Sequence, residues 1–253
     1  MRRYTYDAKN YPLSEIALGS IQKHYPDVQD LSLLHEHVPS KKIGELAKII
    51  GKDLADTNFY KIFDKLLEDY VSLGEILVQR FGNIRINIPN QDKDGTVLPF
   101  HQGQWVGNGL GLRTVWLPFT DAYDSNSLQL VNLMDSRAIT DACKEWDYLR
   151  LQEECKKYCE PVNIRKGQFI LFTQEHIHGA AANRTGKTRM SVDVRLLLKD
   201  GQPHRKWPGA YFRKLHDTDI HSRKVEIKDN DNVVMYAEYE GFKTRYIDLH
   251  FQT

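Results

Sequence analysis

Cysteine is scarce in this chain. Its 253 residues hold three, Cys143, Cys155 and Cys159, all within one short segment. An odd number without paired metal-knuckle spacing excludes a disulfide framework and reads as reduced thiols of a cytoplasmic protein. A Cys-x3-Cys zinc site is the weak alternative. Charge of one sign is equally lacking, since 35 Lys and Arg stand against 34 Asp and Glu, for a net charge of +1. That balance argues against a broad nucleic-acid-binding face, while leaving room for a local patch. Long apolar runs are missing too. None approaches the roughly 20 residues of a membrane helix, and the opening "MRRYTYDAKNYPLSEIALGS" has no apolar signal-peptide core. No nucleic-acid partner and no membrane is therefore expected. Repeats and low-complexity linkers are absent, and a single domain is expected.

What is present divides by period. Ile43, Leu46, Ile49 and Ile50, then Phe63, Leu66, Leu67 and Tyr70, fall at helical three- and four-residue steps. Pro39-Ser40 marks a helix start, and residues 1–82 are expected to form a helical flank. From Asn83 the period drops to two: "NIRINIPN", "LRTVWLPF", "SLQLVNL", "GQFILFTQ" and "RMSVDVRLLL" read as strands separated by turn-rich segments. "SRAITDACKEWDYLRLQEECKKYCE" interrupts them as a charged helix or long loop. Residues 83–200 are expected to form the β core, and 201–253, with strand-like "VVMYAEYEGF", an irregular cover. Short strands at this spacing suggest a sandwich or barrel of jelly-roll type.

Two histidines carry the chemistry. His101 opens "HQGQW" and His178 follows an apolar strand. Eleven residues after His178 comes Arg189, then Ser191, Asp193 and Arg195 at alternating positions. Residues two apart on a strand share a face, so Arg189 and Ser191 can present a guanidinium fork and a hydroxyl to one carboxylate. Arg85 and Asn87 share a face in the same way and reach towards cosubstrate or substrate, or else towards solvent. His176 is an alternative to His178, and "HEH" at 35–37 reads as surface histidines in a loop.

The words "HQGQW", "VWLPFTDAYDSNSLQLV" and "HGAAANRTGKTRMS" together resemble the non-haem iron(II)/2-oxoglutarate oxygenases, most of all the phytanoyl-CoA-dioxygenase-like branch and oxygenases of carbohydrate gene clusters. The resemblance spans roughly residues 83–198. It implies a mainly β fold: a double-stranded β-helix (jelly-roll, cupin-like) core with flanking N-terminal α-helices. It also implies Fe(II), 2-oxoglutarate and O2 as cofactors. Carried over, His101 and His178 are the iron ligands, and Arg189 with Ser191 anchors the cosubstrate.

The family pattern breaks at Gly103, where the third ligand, a carboxylate, is expected. Three outcomes follow. Chloride can fill the gap, as in family halogenases that carry Gly or Ala there, and this reading leads. The surrounding "HQGQWVGNG", however, looks more like the hydroxylase-type pattern with one letter changed. Alternatively another group supplies the ligand: Gln104 through a bulge, or Asp92, Asp94 or Asp121 from loops. Third, catalysis is lost and a binding barrel remains. A reading from another class is a cupin-like metal or sugar-binding protein that uses no 2-oxoglutarate. The polar and aromatic residues Trp105, Asn108, Arg113, Trp116, Trp207, Tyr211 and Arg213 suit a small polar substrate such as a sugar, nucleotide or amino acid.

Overall fold

The fold is described by a computed structural model, which describes residues 1–90, 98–109, 111–199, 201 and 211–217. Ten strands are found among them: β1 (Arg2–Thr5), β2 (Ile76–Gln79), β3 (Asn83–Asn87), β4 (Leu112–Pro118), β5 (Leu128–Val131), β6 (Cys159–Pro161), β7 (Gln168–Thr173), β8 (His178–Ala180), β9 (Arg189–Leu198) and β10 (Phe212–Lys214). The larger sheet runs β1-β7-β4-β9-β2-β10, with β3 also paired to β9, and the smaller runs β6-β5-β8. Every pairing is antiparallel. The sheets share a closed apolar layer, Trp116, Ile170 and Phe172 from the large one meeting Leu128, Leu130, Val162 and Ile164 on and beside the small one. This is the jelly-roll arrangement that the resemblance implied.

β9 shows why the layers form. Its Met190, Val192, Val194 and Leu196 are fully buried in the main apolar cluster, against helices α1 (Leu13–Gln22), α3 (Ile43–Asp53) and α4 (Phe59–Tyr70); a short α2 spans Leu34–His37. The alternate residues Arg189, Ser191, Asp193 and Arg195 face the other way, into the barrel. The strand is therefore apolar outward and polar inward, because helices cover its outer face. On α4, Phe59, Phe63, Leu66 and Leu67 lie on the buried stripe.

Two strands fall inside the stretch expected to be helical. β1, "RRYT", carries no alternating apolar signal and is fixed by pairing with β7. β2, "ILVQ", is a short apolar run that periodicity cannot tell from helix. The chain leaves α4 at Val71 in extended conformation and turns at Gly74, whose φ of +68° favours glycine. The charged interruption forms two helices, α5 (Leu133–Ala142) and α6 (Tyr148–Tyr158), packed near Phe100 and Ile177. "HEH" belongs to α2 rather than a loop, and His35 shares a 2.8 Å hydrogen bond with Thr188. The three cysteines are free thiols. In the tail, β10 joins the large sheet, and Arg213 makes a buried two-pronged ion pair with Asp64 of α4 at 2.5 and 2.7 Å. Trp207 and "VVMYAEYEGF" lie outside the described residues.

Candidate active site

His101 and His178 meet directly. Their backbones exchange two hydrogen bonds of 2.9 Å, which puts both side chains on one face. The approach is close because Gly179 has no side chain: a Cβ there would sit 3.1 Å from the Leu98 carbonyl and Phe100. The ring centroids are 4.4 Å apart. His101 Nδ1 donates to the Pro99 carbonyl at 2.9 Å, and His178 Nδ1 donates to that of His176 at 3.0 Å. A carbonyl only accepts, so each Nδ1 carries the proton and each Nε2 presents a lone pair. Neither Nε2 has a hydrogen-bond partner among the described residues. Burial, with His101 as neighbour, holds His178 down to about 3, and burial also lowers His101. Both rings are thus neutral near pH 7, the state in which imidazole binds a metal.

His176 is turned elsewhere. It sits in a bend before β8, hydrogen-bonds Thr173 Oγ1 at 2.9 Å and packs edge-on to Phe172. His176 does not join His178 on a shared strand face, because the strand begins only at His178.

Arg189 and Ser191 lie deeper in the barrel. Arg189 is 4% exposed. Its Nε donates to the Asn126 carbonyl at 3.0 Å and its Nη1 to Ser191 Oγ at 3.0 Å, while the guanidinium lies 5.9 Å from the Trp116 ring. Trp116 Nε1 also donates to Ser191 Oγ, at 3.1 Å. The serine oxygen accepts twice, which leaves its own proton to give away. No carboxylate of the described residues pairs with Arg189. Burial, together with the nearby Arg85, pulls its pKa down to about 10, which still leaves it charged.

Gly103 is not followed by a strand. Gln104–Val106 form a single tight turn, so no strand bulge brings Gln104 inward. The space beside Gly103 is filled: a Cβ there would lie 1.9 Å from Gln174 Oε1 and 3.0 Å from Asn108 Nδ2. Gln174 accepts from Asn108 at 2.9 Å and donates to Thr114 Oγ1 at 2.8 Å, and all three are buried. Nothing in the sequence pattern marked Gln174, which arrives from a bend between β7 and β8. Asp121 is exposed and accepts the Lys166 backbone N–H at 2.9 Å, so it does not reach the histidines. Asp92 and Asp94 lie outside the described residues. Among the described residues no three His, Cys, Asp or Glu side chains form a metal-holding group.

Arg85 and Asn87 do face inward. Asn87 donates to the carbonyls of Asn126 and Ala181 at 3.4 and 3.3 Å. Arg85 Nε donates to Asp193 Oδ2 at 3.0 Å; Asn83 and Arg195 engage Oδ1.

Residues 48–191 match the family model described as phytanoyl-CoA dioxygenase (PhyH). The chain belongs to the phytanoyl-CoA dioxygenase family. As a PhyH protein it is an oxygenase of the class that uses Fe(II), 2-oxoglutarate and O2, which sets aside the cupin-like non-oxygenase reading. No curated protein matches this PhyH chain. Solved structures similar to it include a non-heme monooxygenase, the ThoJ–nickel complex, at 16% identity over 82% of this chain and 78% of that one, with TM-score 0.44. Another is SnoK, a non-heme α-ketoglutarate-dependent carbocyclase from nogalamycin biosynthesis, at 17% identity over 57% and 61%, TM-score 0.41. AviO1 of Streptomyces viridochromogenes is 11% identical over 79% and 89%, TM-score 0.47. Likeness at this level adds no argument about the PhyH chain's chemistry. No helix among the described residues is long and apolar enough to cross a membrane.

Proposed function

We propose that His101 and His178 hold Fe(II), that Arg189 and Ser191 hold the distal carboxylate of 2-oxoglutarate, and that the enzyme hydroxylates an aliphatic C–H bond of a small polar molecule. The observation that carries this reading is the paired imidazoles, neither Nε2 of which has a partner among the described residues. Two neutral, oriented nitrogen donors fit a ferrous ion, and the buried Arg189, which pairs with no carboxylate of the described residues, fits an incoming carboxylate. When bound, iron and cosubstrate supply the oxidising power, with O2 and 2-oxoglutarate consumed to succinate and CO2. The chain's part is positioning. The Pro99 and His176 carbonyls stop the imidazoles from turning. Ser191 and Asn126 fix the Arg189 fork, and Phe172, 5.1 Å from the His178 ring, excludes water on that side. A sugar, nucleotide or amino acid suits the polar lumen.

The second reading is halogenation, favoured by the lack of a carboxylate beside the two histidines among the described residues. The Gln174 carboxamide fills the space where a side chain at position 103 would begin, so that side is not an open gap, which supports hydroxylation as the first reading. The test has two stages. Calorimetry on the anaerobic Fe(II) protein is expected to show 2-oxoglutarate binding that His101→Ala or His178→Ala abolishes. Turnover with candidate substrates, with and without chloride or bromide, is then read by product mass. A halogenated product would overturn the hydroxylase reading, and absence of 2-oxoglutarate binding would overturn both.

A further inference from the structure

The barrel wall beside the histidines carries more positive charge than its cosubstrate needs. Among the described residues three guanidinium groups, Arg85, Arg189 and Arg195, face inward against one carboxylate, Asp193, leaving two positive charges in excess. Arg189 and the distal carboxylate of 2-oxoglutarate cancel one. The keto-acid end of the cosubstrate would meet a ferrous ion beside which, with glycine at 103, the described residues place no carboxylate. Asp193 is fully engaged: Asn83 and Arg195 bind Oδ1 and Arg85 Nε binds Oδ2. Arg85 is not. It spends only Nε on a protein partner, its two terminal nitrogens have no partner among the described residues, and its side chain is 42% exposed. Opposite Ser191 in the β3–β9 ladder, it stands on the inward face with Asn83 and Asn87. Asp193 therefore aims Arg85 through Nε and leaves the Nη pair as a two-pronged donor, the geometry that matches a carboxylate or phosphate.

We propose that the primary substrate carries an anionic group, a carboxylate or a phosphate, which docks on the terminal nitrogens of Arg85, with Asp193 and Arg195 holding that arginine in place. This rests on the proposed function, since it assigns the substrate of the same site.

The experiment uses the full chain, loaded anaerobically with Fe(II) and saturated with 2-oxoglutarate. Two probe pairs each set an anion against a neutral partner: hexanoate against hexanamide, and glucose 6-phosphate against glucose. Binding is followed by calorimetry, and succinate release is measured after O2 is admitted. In at least one pair the anion should bind roughly tenfold or more tightly than its neutral partner, the worth of one charge-assisted hydrogen bond. The pair that responds tells carboxylate from phosphate. Arg85→Gln should erase the preference, and Arg85→Lys, which keeps the charge, should retain part of it. Parallel 2-oxoglutarate titrations of both variants report whether the site is intact. Should neither anion outbind its neutral partner in protein that binds 2-oxoglutarate, or should the preference survive in Arg85→Gln, the proposal is wrong. Loss of 2-oxoglutarate binding in the unmodified protein would instead overturn the proposed function and this proposal with it.

Discussion

The carboxamide of Gln174 stands where a side chain on Gly103 would begin, 1.9 Å from the position of a Cβ. The two residues come from different turns, and each limits what the other can be.

Gly103→Asp is therefore expected to do more than restore a carboxylate. Alone it must push Gln174 off Asn108 and Thr114, overpacking a buried site at a cost of about 1–3 kcal/mol. Gln174→Ala should also destabilise, by about 1–3 kcal/mol, because Thr114 and Asn108 each lose a buried hydrogen bond. The double variant should be less destabilised than the two costs added together. It should also bind Co(II) more tightly than either single variant. Thermal denaturation and metal titration of the four proteins check this; strict additivity would show that the two positions do not compete.

Arg189→Met should separate ligand binding from stability. Two charge-assisted hydrogen bonds to the cosubstrate carboxylate are lost, which predicts a fall in 2-oxoglutarate affinity on the order of a hundredfold. Without cosubstrate the same variant should melt no lower than the parent, since it removes a buried charge that has no carboxylate partner among the described residues. Calorimetry and melting curves give the two readouts.

Asp64→Ala should be among the most destabilising single changes. It strands Arg213, whose side chain is fully buried and bound by both carboxylate oxygens. Breaking a buried pair from one side costs about 3–5 kcal/mol. Urea denaturation measures the loss, and it should shrink in Asp64→Leu/Arg213→Met.

Acid stability should depend on Asp193. Burial pushes its pKa up, but Arg195, Arg85 and the Asn83 amide outweigh burial and hold it at about 2. The unfolded chain, with a carboxylate pKa near 3.9, takes up the proton first. Asp193 therefore stabilises the fold above about pH 4, and that contribution drains away as pH falls towards 2. It amounts to about 3 kcal/mol. Asp193→Asn should flatten this limb of the stability–pH curve while leaving the protein less stable at neutral pH.

Much of this was legible because it repeats along one segment. The two-residue period of 189–198 announces both the strand and the shared face of Arg189 and Ser191, and the structure places the two side chains 3.0 Å apart. The convergence of His101 and His178 followed from family motifs rather than periodicity, which says nothing about which distant strands touch. Gln174 was invisible because its importance lies wholly in a contact across the chain with a residue that has no side chain. β1 and β2 were hidden for another reason. Four-residue strands hold too few positions to display a period, and their partners, more than 160 positions away in β7 and some 120 away in β9, supply the pattern instead. The Asp64–Arg213 pair joins a helix that reads as amphipathic to a tail that reads as irregular.

The inside-out alternation of β9 has a consequence for how such a protein changes over generations. One face of the strand answers to the helices behind it and the other to whatever enters the lumen. Inward positions can thus be exchanged for new ligand preferences without reopening the apolar seam that keeps the chain folded. A single strand keeps two separate accounts, one for endurance and one for taste.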